Sequence, residues 1–216
     1  MAGEQTAAYI EPRHTTNDLI RRYLTSVVQA LTAAPIEQIA DAVDVCNRIR
    51  LSGGTLYICG NGGSAASAAH AACDLVKLAY VEQERRLRAV ALTENMAMIS
   101  AYGNDLGYAS IFQQQIAGLV TSADALIGIS VSGSSENVLL AMEYARSAGA
   151  ATIGLSGMGT PRMRAVSDIY IRLPGTSMQS AEDAHMAILH ALSIGLRGRQ
   201  STNPVGAHNE LKQSIC

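Results

Sequence analysis

Apolar positions along this chain switch between helical spacing and short continuous runs, so the pattern predicts helices alternating with buried strands. Leu19, Leu24, Val27, Val28 and Leu31 recur at helical intervals behind Thr16 to Asp18, which offer capping side chains. Ile36, Ile39, Ala40, Val43, Cys46 and Ile49 form a second stripe, opened by Pro35 and closed by Ser52-Gly53-Gly54. Two helices ahead of the first strand predict an antiparallel pair that packs on the domain or on another subunit. Strands are expected at 55–59, 88–92, 125–130, 151–155 and 168–173. The helices between and after them are expected at about 64–79, 96–101, 109–117, 136–147 and 179–196. Strands separated by helices imply a parallel sheet with right-handed crossovers, hence a three-layer α/β sandwich with five strands. One domain over 16–199 is expected, between a loose arm at 1–15 and a polar tail at 200–216.

Composition narrows the classes. The chain has 216 residues, enough for one sizeable core, with 48% hydrophobic and only 16% charged residues. With one Phe and no Trp, small side chains must provide much of the packing, and small residues let helices approach closely. A net charge of −2 leaves no general basic surface, which argues against nucleic acid as the main ligand. Cys46, Cys59, Cys73 and Cys216 have no CxxC spacing and read as buried or free thiols in a reducing compartment. No apolar run is long enough to span a bilayer and the N-terminus lacks a secretory pattern, so a cytoplasmic protein is expected.

The chemistry concentrates in a few places. In LYICGNGGSAASAAHAACDLVK a strand runs into a glycine turn, Gly60 to Ser64, and then into an alanine-rich helix that Ser64 is placed to cap. Glycines let the backbone approach a ligand, and the first N–H groups of a helix favour an anion. The turn matches neither the Walker nor the GxGxxG pattern. His70 and Asp74, at i and i+4, project from one face of that helix and can hold a metal or move protons. The third strand delivers SVSGSS, Ser130 to Ser135, to the same sheet edge, where its hydroxyls and another helix N-terminus suit a phosphate. The last helix carries Glu182 and His190 two turns apart on one face, and His190 sits among apolar neighbours as a neutral ligand or acid/base would.

These segments resemble the SIS-domain (sugar isomerase) family of the phosphoheptose isomerase type. The resemblance covers roughly residues 19–196 and rests on GNGGSAASAAH, YGNDLGY, SVSGSSENV and EDAHMAILH in that order. It implies a flavodoxin-like SIS domain, conversion of sedoheptulose 7-phosphate to D-glycero-D-manno-heptose 7-phosphate, and a homotetramer with one zinc per subunit at sites between subunits. Position by position, it implies His70 as a zinc ligand and Asp74 as ligand and base. It implies Glu182 as a ligand that also meets substrate, and His190 as ligand and acid. Substrate contacts are implied at Asn61, Gly62, Gly63, Ser64, Asn104 and Asp105, and phosphate contacts at Ser130, Val131, Ser132 and Ser135.

Three positions depart from the family pattern. Asp74 stands for a glutamate, one methylene shorter, and a shift of about 1 Å in a catalytic group can cost on the order of 100-fold. Glu182 stands for a glutamine, so a set of His70, Asp74, Glu182 and His190 carries two negative charges. Those charges imply tighter zinc binding and a weaker Lewis acid. Val131 stands for a hydroxyl residue. The departures keep open a related isomerase of another seven- or eight-carbon ketose phosphate. A non-catalytic SIS protein of the kind that binds a bacterial replication initiator would lack the carboxylate and terminal histidine present here as Asp74 and His190. A sugar-phosphate-sensing regulator would need a DNA-reading segment, and none is visible.

Overall fold

A computed structural model describes residues 15–158, 162–175 and 177–201. The expected arm and tail fall outside these residues, apart from Thr15, Gln200 and Ser201. Five strands, β1 (Thr55–Gly60), β2 (Arg88–Ala91), β3 (Ala125–Ser130), β4 (Ala151–Ser156) and β5 (Ile169–Arg172), form one parallel sheet in the order β2-β1-β3-β4-β5. The helices are α1 (Thr16–Thr32), α2 (Ile36–Ser52), α3 (Gly63–Lys77), α4 (Met96–Leu106), α5 (Gln113–Ile116), α6 (Glu136–Ser147) and α7 (Met178–Ser201). The expected five-stranded three-layer sandwich is therefore observed. Among the described residues no helix is long and apolar enough to cross a membrane.

Alternation within the strands makes two cores. Leu56, Ile58, Ile127, Ile129, Ile153 and Leu155 point to one face, under α2, α3 and α7. Cys59 and Leu126 point to the other, where they meet Phe112, Val138 and Met142 of the segment from the α4–α5 connection to α6. The chain leaves β1 for α3 on the first face and leaves the adjacent β3 for α6 on the second. That divergence opens a crevice at the carboxyl ends of β1 and β3, the switch point at which α/β sheets of this order bind ligands.

The elements differ from expectation where tertiary contacts intervene. α1 starts with Thr15 and Asp18 in a reciprocal cap, the Thr15 hydroxyl accepting from Asp18 N and the Asp18 carboxylate accepting from Thr15 N, both at 3.2 Å. It packs on α7 rather than forming a closed pair with α2. The Tyr23 hydroxyl donates to the Asp183 carboxylate, while Leu19, Leu24 and Val28 of the apolar stripe are more than half exposed. The expected helix at 109–117 is broken into a 3-10 turn at Tyr108–Ser110 and the short α5, because Ile111 and Phe112 are both drawn into the core. α4 runs on to Leu106, capped at its start by the Asn95 side chain on Met98 N (3.1 Å) and stopped at Gly107. α7 passes Leu196 and reaches Ser201 because its polar end docks on the chain after α3. There Gln200 Nε2 donates to Ala79 O (2.8 Å), Gln200 Oε1 accepts from Val81 N (3.1 Å), and Arg197 donates to Leu78 O (3.0 Å).

His185 is fully buried on α7, and neither ring nitrogen has a hydrogen-bond partner. Burial pushes its pKa below the usual 6.5, with the nearby Ser156 main chain acting in the opposite direction. The folded state thus keeps this imidazole neutral where the unfolded chain takes up a proton. The stabilising difference is present above the unfolded value of 6.5 and is lost as pH falls below it. Urea-unfolding midpoints measured from pH 7.5 to 5 should fall more steeply for the native chain than for His185→Leu. Parallel curves would contradict this.

Candidate active site

The β1–α3 turn is shaped by two glycines used differently. Gly62 has φ 55° and ψ −122°, a backbone that a side chain would strain, and it takes the N-cap position of α3. Ser64 therefore does not cap the helix as expected; it is buried one residue inside it. Gly63 lies close under Glu182, so a Cβ there would fall 2.4 Å from both of its carboxylate oxygens and make that side chain shift.

Past this turn, His70 and Asp74 stand one turn apart on α3, and α7 brings His190 to them. Asp74 Oδ2 lies 3.2 Å from His70 Nε2 and 3.3 Å from His190 Nε2, and the two Nε2 atoms are 3.2 Å apart. The rings meet edge-on at 65° with centroids 5.1 Å apart. Asp74 is buried, and its Oδ2 makes no well-formed hydrogen bond despite these short distances. The three atoms thus lie within 3.3 Å of one another around a common space. Ligands at 2.0–2.1 Å from a tetrahedral zinc are separated by about 3.3 Å, which is the edge length seen here. The residues present therefore fit such an ion as a three-ligand group with an open side. The His70 and His190 side chains are 52% and 45% exposed, so the opening faces solvent in the protomer.

Glu182 stands outside that group. Its carboxylate lies over Gly63 and forms one wall of a cavity of about 140 Å³, which Asn61, Ser64, Ser130, Ser132 and Ser135 also line. Within the serine loop, Ser130 Oγ is 2.9 Å from Ser135 Oγ and 3.3 Å from Ser132 Oγ. Ser135 holds the N-cap position of α6, yet its hydroxyl bonds Ser130 instead of capping. Val131 is buried, and its carbonyl accepts from Gly157 N (3.0 Å) and Met158 N (2.7 Å), tying the loop to the end of β4. Asn104 and Asp105 lie exposed at the end of α4, bonded to each other at 2.7 Å, and neither lines the cavity.

Two residues join the site that sequence reasoning missed. The Asn137 side chain, buried at the start of α6, pairs with Asn61, and the Tyr108 hydroxyl donates to Asn61 Oδ1 at 2.9 Å. Both belong to motifs quoted from the sequence, but their pairing depends on the approach of separate turns. Among the described residues, no cysteine lines the cavity or joins the His70–Asp74–His190 group. Cys46 and Cys59 are buried thiols whose pKa burial pushes up to about 12, and Cys73 is a free, exposed thiol. Cys216 lies outside the described residues.

The SIS domain family model matches residues 21–157, a range that holds the glycine turn and the serine loop of the switch-point crevice. The phosphoheptose isomerase of Akkermansia muciniphila is 37% identical over 161 residues, 74% of this chain and 83% of that protein. That of Rhodospirillum rubrum is 40% identical over 154 residues, 71% and 81% of the two chains. The solved phosphoheptose isomerase from Francisella tularensis superimposes with a TM-score of 0.79 at 32% identity, covering 86% of this chain and all of its own. The chain belongs to the phosphoheptose isomerase family of SIS-domain proteins and is a sugar-phosphate isomerase.

The close fit of Gly63 under Glu182 has a direct consequence. In a crystal structure of Gly63→Ala, the Glu182 carboxylate should be displaced by more than 1 Å, because it is the flexible partner in the clash. An unmoved Glu182 would show that the turn yields instead.

Proposed function

We propose that this chain interconverts sedoheptulose 7-phosphate and D-glycero-D-manno-heptose 7-phosphate through an enediol, using one zinc ion per subunit. The observation that carries the reading is the convergence of His70 Nε2, Asp74 Oδ2 and His190 Nε2 within 3.3 Å beside a serine-lined cavity. Two imidazoles and a carboxylate suit zinc, whose role when bound is to polarise the sugar carbonyl and the neighbouring hydroxyl. Ser130, Ser132 and Ser135 with the start of α6 hold the phosphate, at the far end of the seven-carbon chain from the reacting carbons. The Gly62–Gly63–Ser64 turn lines the path between, and Asn104, Asp105 and the Val131 main chain serve the sugar hydroxyls and phosphate.

Asp74 takes the proton from C1 of the ketose while His190 gives a proton to the C2 oxygen, which leaves the enediol neutral. His190 then takes the proton of the C1 hydroxyl as Asp74 returns its proton to C2, yielding the aldose. A nitrogen carrying a proton cannot also ligate, so His190 Nε2 would hold the ion only in its unprotonated form. Glu182, outside the three-ligand group, would meet the substrate from the cavity wall. Its carboxylate beside the phosphate loop supports a second reading, an isomerase of another seven- or eight-carbon ketose phosphate.

The test is turnover of sedoheptulose 7-phosphate by zinc-loaded protein, followed by mass-resolved chromatography, with a chelated control. Asp74→Asn and His190→Ala should each lower kcat by at least about 100-fold with the circular dichroism unchanged. Turnover retained in both, or unaffected by chelation, would overturn the mechanism.

We further infer a homotetramer with the sites lying between subunits, supported by the exposed Leu19, Leu24 and Val28 stripe and by the half-open histidine pair. Leu24→Lys with Val28→Lys should reduce the assembly to smaller species in sedimentation velocity. A native chain that sediments as a monomer would contradict the assignment.

A further inference from the structure

The two turns that form the cavity are joined by one pair of amides. Asn61 Nδ2 donates to Asn137 Oδ1 at 2.9 Å, and Asn137 Nδ2 donates to Asn61 Oδ1 at 2.8 Å. Asn61 Oδ1 also accepts from the Tyr108 hydroxyl at 2.9 Å, and Asn137 Oδ1 accepts from Val138 N at 3.0 Å. A carboxamide has two acceptor positions and two N–H donors. Both acceptor positions of Asn61 are therefore filled by the protein, and one of its two donors is used. What remains for the cavity, where Asn61 is a wall residue, is a single N–H.

We propose that Asn137 is a positioning residue that fixes Asn61 as a donor-only contact for an oxygen-rich ligand. With Asn61 on the β1–α3 turn and Asn137 at the start of α6, the pair also sets the spacing between the glycine turn and the serine loop. A flipped Asn61 amide would place oxygen against oxygen and nitrogen against nitrogen at Asn137, whose own orientation is fixed because the Val138 N–H, which can only donate, meets its Oδ1. The N–H so presented matches a lone pair on a sugar hydroxyl or on a phosphate oxygen. This assignment rests on the isomerase reading for its kinetic readout and on binding for an independent one.

Asn137→Asp keeps the shape and removes the donor. An ionised carboxylate accepts from Asn61 Nδ2 but cannot donate to Asn61 Oδ1, whereas a protonated one can. The variant should show KM raised about tenfold or more at pH 8 with kcat within about threefold of native. The ratio of variant to native KM should fall as pH is lowered through the titration of the new carboxyl. A merely structural role would move the melting temperature without producing this pH-linked recovery. Tyr108→Phe, at a side chain that is mostly exposed and so can be changed without threat to folding, should raise KM about threefold with the melting temperature unchanged. Unchanged KM in Tyr108→Phe, or a pH-independent KM ratio in Asn137→Asp, would overturn the proposal. Calorimetric binding of sedoheptulose 7-phosphate separates the two readings. Native protein that binds without turnover refutes the isomerase mechanism alone, and equal affinity in native protein and Asn137→Asp refutes the role of Asn137 alone.

Discussion

The packing of α7 on α3 is the contact on which the site depends. His70 and Asp74 share a helix and are placed by local geometry, but His190 comes from 116 positions beyond Asp74 and reaches them only if the two helices lie closely together. Alanines make that approach possible: Ala68, Ala71 and Ala72 on α3 and Ala184 on α7 are buried, with Leu75, Ile188, Leu189 and Leu192 filling the remainder. Larger side chains at the alanine positions would push the helices apart, and a displacement of about 1 Å is enough to weaken a catalytic group by on the order of 100-fold.

That contact also concentrates groups that do not stabilise one another. Asp74 Oδ2 is buried without a well-formed hydrogen bond, and two imidazole nitrogens face each other at 3.2 Å, where only one can donate. A buried polar group left in this state costs about 1–3 kcal/mol. The surrounding apolar helices hold the arrangement in place. Such locally unfavourable clusters, sustained by a well-packed scaffold, are characteristic of sites that bind ions or move protons. The asparagine pair works in the opposite sense, since every acceptor in it is filled and the turn it holds is correspondingly rigid.

Much of the architecture was legible in the chain because it follows from local rules. Short apolar runs alternating with helical stripes specified five parallel strands and their flanking helices, and the glycine and serine turns marked the sheet edge where the crevice opens. The pairing of His70 with Asp74 followed from helical spacing. What was not legible depended on distant surfaces. The outward direction of Leu24 and Val28 is set by α1 packing through Tyr23 and Ala30 on the main body. The length of α7 is set by Gln200 meeting the chain after α3. Glu182 reads as a neighbour of His190 from their two-turn spacing, but that spacing also carries Glu182 along the helix axis, to Gly63 and outside the group of His70, Asp74 and His190. The partnership of Asn61 with Asn137 spans two strands and had no periodic signature at all.

Whether His70, Asp74 and His190 form one metal-binding centre can be decided by anomalous diffraction at the zinc absorption edge from zinc-loaded crystals. One strong peak should appear, bonded to His70 Nε2, Asp74 Oδ2 and His190 Nε2 at about 2.0–2.2 Å. A protein that remains unoccupied there at saturating zinc, or that binds the ion elsewhere, would contradict it.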